Sequence, residues 1–183
     1  DTQLDPVNVQ FQNSQMVAKG KVDGVPGRKG KAVALDVTAD NARVEDLLGL
    51  VVKGNEPPLK GHAKFHTSFV LLPGKGDVLD RLRLKGSFGL EQTKFSKPDL
   101  QQKIAKLSTK AQGKDQPIAA GDTASDFHGN FTLNNAIARF TELRFDVAGA
   151  RVALEGNYNV DNEQLDFHGH LTMDAKLSQM TTG

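Results

Sequence analysis

From residue 127 to residue 173 the chain alternates apolar and polar side chains through four segments separated by short polar turns. Phe127, Gly129, Phe131 and Leu133 alternate with His128, Asn130 and Thr132, and "NNA" follows. Leu143, Phe145 and Val147 alternate with Arg144 and Asp146, and "AGA" (148–150) makes the next turn. Val152, Leu154, Gly156, Tyr158 and Val160 share one parity before "DNEQ" turns the chain again. Leu165, Phe167, Gly169, Leu171 and Met173 then oppose Asp166, His168, His170, Thr172 and Asp174. Successive side chains of a strand point to opposite faces, so the pattern predicts four consecutive antiparallel strands, each with one apolar face.

The first half repeats the scheme less regularly. "VNVQF" (7–11), "QMVAKGKV" (15–22) and "KAVALDVTA" (31–39) read as strands joined by glycine-rich turns such as "GVPGRKG". "GHAKFHTSFVLL" (61–72) alternates through Ala63, Phe65, Thr67 and Phe69, and residues 80–95 through Leu82, Leu84, Gly86, Phe88 and Leu90. Two segments change period. Val44, Leu47, Leu48 and Val51 recur at helical spacing, with Asp40 or Asn41 as the expected cap and Gly54 as the stop. Leu100, Ile104, Leu107 and Ala111 form a second helical stripe, with Ser96 as cap, Pro98 and Asp99 in the first turn, and Gly113 after the end.

The expected fold is therefore mainly β: an antiparallel meander in a curved, groove-like sheet of about nine strands, built of repeated hairpins and interrupted by two short helices. One domain spans 1–183, divided into N-terminal strands (1–39), strands with two helices (40–113), a flexible connection (114–126) and the four-strand meander (127–183). "LRLKGSFGLEQTKF" and "DFHGNFTLNNAIARF" share the order strand, glycine, phenylalanine, turn, strand, and "HGNF" and "HGHL" repeat a His-Gly pair.

Composition narrows the chemistry. Lys+Arg 23 against Asp+Glu 22 gives no basic surplus for a nucleic acid. The absence of cysteine removes disulfides, thiolate metal sites and cysteine nucleophiles. No run of 18 apolar residues is present to span a bilayer as a helix. Nucleophile-elbow, zincin and Walker motifs are missing, and "GKGD" (74–77) lacks the rest of a phosphate loop and reads as a hairpin turn. Asp and Glu lie on exposed parities, which argues against an acid–base pair and against an enzyme. His62 and His66 share a parity. His128, His168 and His170 could be drawn into a zinc site, but no spacing fixes a third ligand, and a solvated polar face accommodates them equally. No metal or other cofactor is expected.

The apolar parity is the remaining clue. Phe127, Phe131, Leu133, Leu143, Phe145, Val147, Val152, Leu154, Tyr158, Leu165, Phe167, Leu171 and Met173 would lie on one side of the meander. Leaving so much apolar area wet is costly at about 25 cal/mol per Å². Either the helices around Leu47 and Ile104 cover it as an ordinary core, or the concave side holds acyl chains.

The C-terminal run "SDFHGNFTLNNAIARFTELRFDVAGARVALEGNYNVDNEQLDFHGHLTMDAKLSQMTTG" resembles the C-terminal region of AsmA-like proteins of double-membraned bacteria. The shared order is F-x-G-x-F-x-L-x-N-G-like, then L-x-F-x-V-x-G-A-x-V-x-L-x-G-x-Y, then L-D-F-x-G-x-L. "KGHAKFHTSFVLLPG" and the stretch from "LRLKGSF" to "STKAQG" are similar to further segments of that family, so the likeness covers about residues 40–183. "NNA" departs from it where a turn glycine often stands. The resemblance implies a periplasmic β-groove that binds or conducts phospholipid between the two membranes and carries no catalytic motif. It implies that this chain is an interior piece of a longer protein anchored in the inner membrane, its edges pairing with neighbouring β-repeats. Alone, it would self-associate through free strand edges. The alternative is a structural or assembly module of the envelope with a self-filled core and no lipid.

Overall fold

The computed structural model describes residues 1–49, 56–114 and 123–173, with the side chains of residues 111 and 123 excepted. Nine strands form one open, curved sheet in chain order: β1 (Thr2–Phe11), β2 (Ser14–Gly24), β3 (Lys31–Arg43), β4 (Leu59–Leu71), β5 (Leu82–Phe95), β6 (Thr123–Asn134), β7 (Ile137–Val147), β8 (Ala150–Asn159) and β9 (Leu165–Met173). Every neighbouring pair is antiparallel, so the sheet is a meander in which each strand pairs with the next one in sequence.

Among the described residues three helices, not two, interrupt it: α1 (Val44–Leu48), α2 (Val78–Arg81) and α3 (Pro98–Ala111). The extra one, α2, follows "GKGD" directly, so that segment is a turn into a one-turn helix. Asp77 caps it, its carboxylate accepting from the Leu79 N–H at 2.9 Å. Neither of the other two helices has the expected cap. β3 runs on through Asp40 and Asn41, and α1 starts after Arg43 with no side-chain cap. α3 starts after Lys97 rather than Ser96, with Pro98 in its first turn. Val51 and Gly54 lie outside the described residues. The expected connection 114–126 is shorter than its sequence suggests, because β6 already begins at Thr123; residues 115–122 are outside the description.

The register keeps one parity apolar across all nine strands. Leu4 pairs with Gly20, Gly20 with Leu35, Leu35 with Phe69, Phe69 with Leu84, and Leu84 with Leu133. From there the row continues through Ala138 and Tyr158 to Leu165. Directly opposed residues share a face, so this row runs along one surface from edge to edge. The other parity carries residues such as Lys19, Asp36, Ser68, Lys85, Thr132, Arg139, Asn157 and Asp166.

Bulges bend the strands without losing this sidedness. β1 bulges at Asp5–Pro6, where an edge strand tolerates the missing proline N–H. Gln92 and Asp126 have left-handed backbones where β5 and β6 slip in register, with φ of 53° and 50°. α1 is tied to the β1–β2 turn by a buried carboxylate. Asp46 Oδ2 accepts from Ser14 Oγ at 2.8 Å and from the Asn13 N–H at 3.0 Å, and Ser14 Oγ accepts from the Arg43 N–H. Among the described residues no helix is long and apolar enough to cross a membrane.

Candidate functional site

All thirteen residues expected on one face are on one face. Leu143 opposes Leu154, Phe145 opposes Val152, Val152 opposes Leu171, Tyr158 opposes Leu165, and Phe131 and Leu133 sit on the matching side of β6. Their surroundings differ along the strands. Phe127, Phe145, Val147 and Val152 are buried in a cluster with Phe95, Ala124, Ala150 and Ile104 of α3. This is the end of the sheet where β5 and β7 finish, and α3 lies against β5 and β8 there. Leu133 is buried at the opposite end, beside Ala136, Val160 and Leu79 of α2.

Between these two covered ends the described residues leave the face unsealed. Phe131, Leu143, Leu154, Tyr158 and Phe167 are half-buried, while Leu165, Leu171 and Met173 on β9 are 70%, 41% and 51% exposed. On the far edge Val7 and Val9 of β1 are each 39% exposed. The wall thus has helices over its ends and an uncovered apolar middle that runs out to both edges.

Its centre is a connected set of phenylalanine rings. Phe127 stacks on Phe145 at 4.8 Å, and Phe95 meets Phe145 edge-on at 5.9 Å. Phe88 lies within 6.2–6.5 Å of Phe127, Phe131 and Phe140, and Phe140 is 5.8 Å from Phe167. Glycines make room for these rings. Gly129 opposes Phe88, Gly86 opposes Phe131, and Gly156 lies between Phe140 and Phe167. A Cβ at Gly156 would stand 2.8 Å from Phe167 Cγ and would run into the Asp166 carbonyl oxygen. The recurring glycine–phenylalanine order of the sequence is therefore a cross-strand device: Phe88, Phe131, Phe140 and Phe167 each lie opposite a bare backbone on an adjacent strand.

Phe88 and Phe140 are lining residues that the thirteen omit. Phe88 is legible from its alternation with Leu84, Gly86 and Leu90, in a segment upstream of the four-strand meander. Phe140 was hidden by a bulge. Phe140 pairs with Gly156 and Leu143 with Leu154, so two residues three apart in sequence share a face. Strict alternation starts afresh at Leu143 and hides the first half of β7.

The histidines lie on the other face. His128 of β6 aligns with Arg144, Ala153 and His170 of β9, so β7 and β8 stand between the two imidazoles. Three strand spacings are about 14 Å, which separates His128 from His168 and His170 as ligands of one ion. Among the described residues no three His, Asp or Glu side chains gather. His168 Nε2 is instead 3.0 Å from Glu155 Oε1, and His66 is 3.6 Å from Asp36.

Other charges on this face pair across strands. Lys64 Nζ donates to Glu91 Oε1 at 2.6 Å, which raises the Lys64 pKa and lowers that of Glu91. Arg151 reaches Asp146 at 3.1 Å, and Asn130 donates to Glu142 at 2.9 Å. Two depressions, of about 450 and 360 Å³, open on this side, beside Lys64 and Glu91 and beside Gln15 and Thr38. On the apolar side Tyr158 is the one titratable member of the thirteen, and burial raises its phenol pKa, with Glu163 adding to the effect.

The chemistry of the site follows from this division. Among the described residues the apolar face offers no converging donors, acceptors or charges, only a strip of aliphatic and aromatic surface several strands wide. Such a surface suits a ligand with long hydrocarbon and no demand for directional contacts. Comparison of the chain with models of known families, with curated proteins and with solved structures returned no match.

Proposed function

We propose that the chain is a non-enzymatic lipid-handling segment, binding or conducting phospholipid acyl chains along the apolar face of its sheet. The observation that carries this reading is the uncovered middle of a wall that stays apolar across nine strands. A wall lacking fixed polar contacts holds hydrocarbon without holding one headgroup or one register, and weak, repeated binding is what passage of a lipid requires. The AsmA-like resemblance supports the same role. It would place the segment in the periplasm of a double-membraned bacterium, within an inner-membrane-anchored protein that supports outer-membrane biogenesis.

The edges agree with that setting. Among the described strands β1 and β9 each have a single neighbour, and both expose apolar side chains of the wall. Pairing with adjacent β-repeats would lengthen the wall and cover the unpaired backbone groups. The chain alone is expected to self-associate through those edges.

Native mass spectrometry of the purified chain tests the proposal, with adducts of phospholipid mass as the expected result. A Leu171→Asp variant, charged on the exposed part of the wall, should lose them while keeping its melting temperature. Lipid-free protein that also takes up no fluorescent acyl probe would instead support a structural or assembly module of the envelope.

A further inference from the structure

The apolar wall ends under α3, and α3 is seated there on a poorly matched surface. Ile104 is buried and Leu100 and Leu107 are half-buried, but the next buried residues of the helix are Ser108 and Thr109. Ser108 Oγ has no hydrogen-bond partner among the described residues, nor have Thr93 Oγ1 near the end of β5 and Ser96 Oγ at the helix entrance. A buried hydroxyl without a partner favours any state that wets it. The helix is held at its start. Gln101 Nε2 donates to the Phe95 carbonyl at 2.6 Å, and the Ser96 N–H donates to that of Pro58 at 2.9 Å. The tethered end and the unsatisfied Ser108 lie about two turns apart, which is the layout of a flap hinged at its first turn.

The outer side of the same helix is basic. Lys103, Lys106 and Lys110 are exposed at i, i+3 and i+7, and none is in an ion pair among the described residues. Asp99 is the single acidic residue of the helix. An acidic protein would engage only the lysines. An anionic bilayer engages both faces, because headgroups meet the lysines while the apolar stripe enters the interface.

Building on the lipid-handling reading, we propose that α3 is a lid that lifts onto an anionic lipid surface. Its lysine face meets the headgroups, and its departure uncovers the end of the wall around Phe95, Phe127 and Phe145.

Hydrogen exchange and vesicle sedimentation on the full chain test this, using phosphatidylcholine vesicles with and without phosphatidylglycerol. Without vesicles, α3 amides should exchange faster than those of β6 and β7. A Thr93→Val/Ser108→Ala variant, whose seat lacks two of the three stranded hydroxyls, should slow exchange in α3 and weaken sedimentation. Vesicles containing phosphatidylglycerol should bind the chain, and Lys103→Gln/Lys106→Gln/Lys110→Gln should weaken that binding on the order of a hundredfold. Exchange in α3 as slow as in β6 and β7 would overturn the lid, and equal binding to both vesicles would overturn the anionic surface. An acyl-probe titration separates this from the parent reading. A lid that opens on a wall that takes no probe removes lipid handling alone, whereas probe bound beneath a protected α3 removes the lid alone.

Discussion

At the scale of single residues, a few side chains fix what alternation cannot. Asp46 is 4% exposed and Ser14 fully buried, and their contact joins α1 to the first hairpin turn. Asp46→Ala strands the Ser14 hydroxyl and the Asn13 amide, and should cost about 2–3 kcal/mol in urea unfolding. Glu45 works beside it. Partial burial pushes its carboxyl upward, but the Arg43 hydrogen bond at 2.6 Å, with the amides of Glu45 and Gly61, outweighs burial and holds the pKa below the ordinary 4.5. A group with a depressed folded pKa contributes stability above its unfolded pKa and loses it as pH falls through the folded value. Unfolding measured from pH 6 downward should therefore show a Glu45→Gln variant less sensitive to acid than the parent below about pH 4.5. None of this was legible in the sequence, because the helix signal at Val44–Leu48 says nothing about which carboxylate turns inward. The "NNA" turn was half legible. Asn135 takes a left-handed backbone, which asparagine tolerates, but Ala136 does so too, with φ of 58° and its methyl buried beside Val160.

At the scale of elements, the strands were readable wherever the period of two ran unbroken, and they went astray at bulges. β8 and β9 match the alternation almost residue for residue. β7 lost its first half, and Phe140 with it, because the bulge after Phe140 resets the parity. The missed caps have a similar origin: β3 resumes pairing at Ala42 beyond a bulge at Asp40–Asn41, and just past β5 the Ser96 N–H still bonds the Pro58 carbonyl, so strand pairing outweighs the local preference of Asp40 or Ser96 for capping. The ring set that joins β5 to β9 was visible only as a recurrence of glycine and phenylalanine. Phe88 is its hub, and Phe88→Ala should destabilise the chain by about 3 kcal/mol in a chemical melt, the low end for a ring because Phe88 is only half-buried. Gly156→Ala should also destabilise it, since the added methyl meets the Asp166 carbonyl and the Phe167 ring. A melting temperature as high as that of the parent would contradict the cross-strand pairing described above.

At the scale of the whole molecule, sequence and structure meet on sidedness. Nine strands keep their apolar parity on one surface because each bulge in one strand is absorbed in the register of its neighbour. The helices, whose coverage no periodicity could give, lie over the ends and leave the middle open. The result is a sheet with one charged, internally paired face and one hydrocarbon-like face, and the second is the basis of the proposed lipid handling. Photo-crosslinking tests it most directly, with benzoylphenylalanine placed singly at 131, 140 or 171 on the apolar face and at 132, 139 or 172 on the other, in protein exposed to phospholipid. Capture of lipid from the first three positions and not from the second three is the predicted result. Capture from both sets alike, or from neither, would contradict the account.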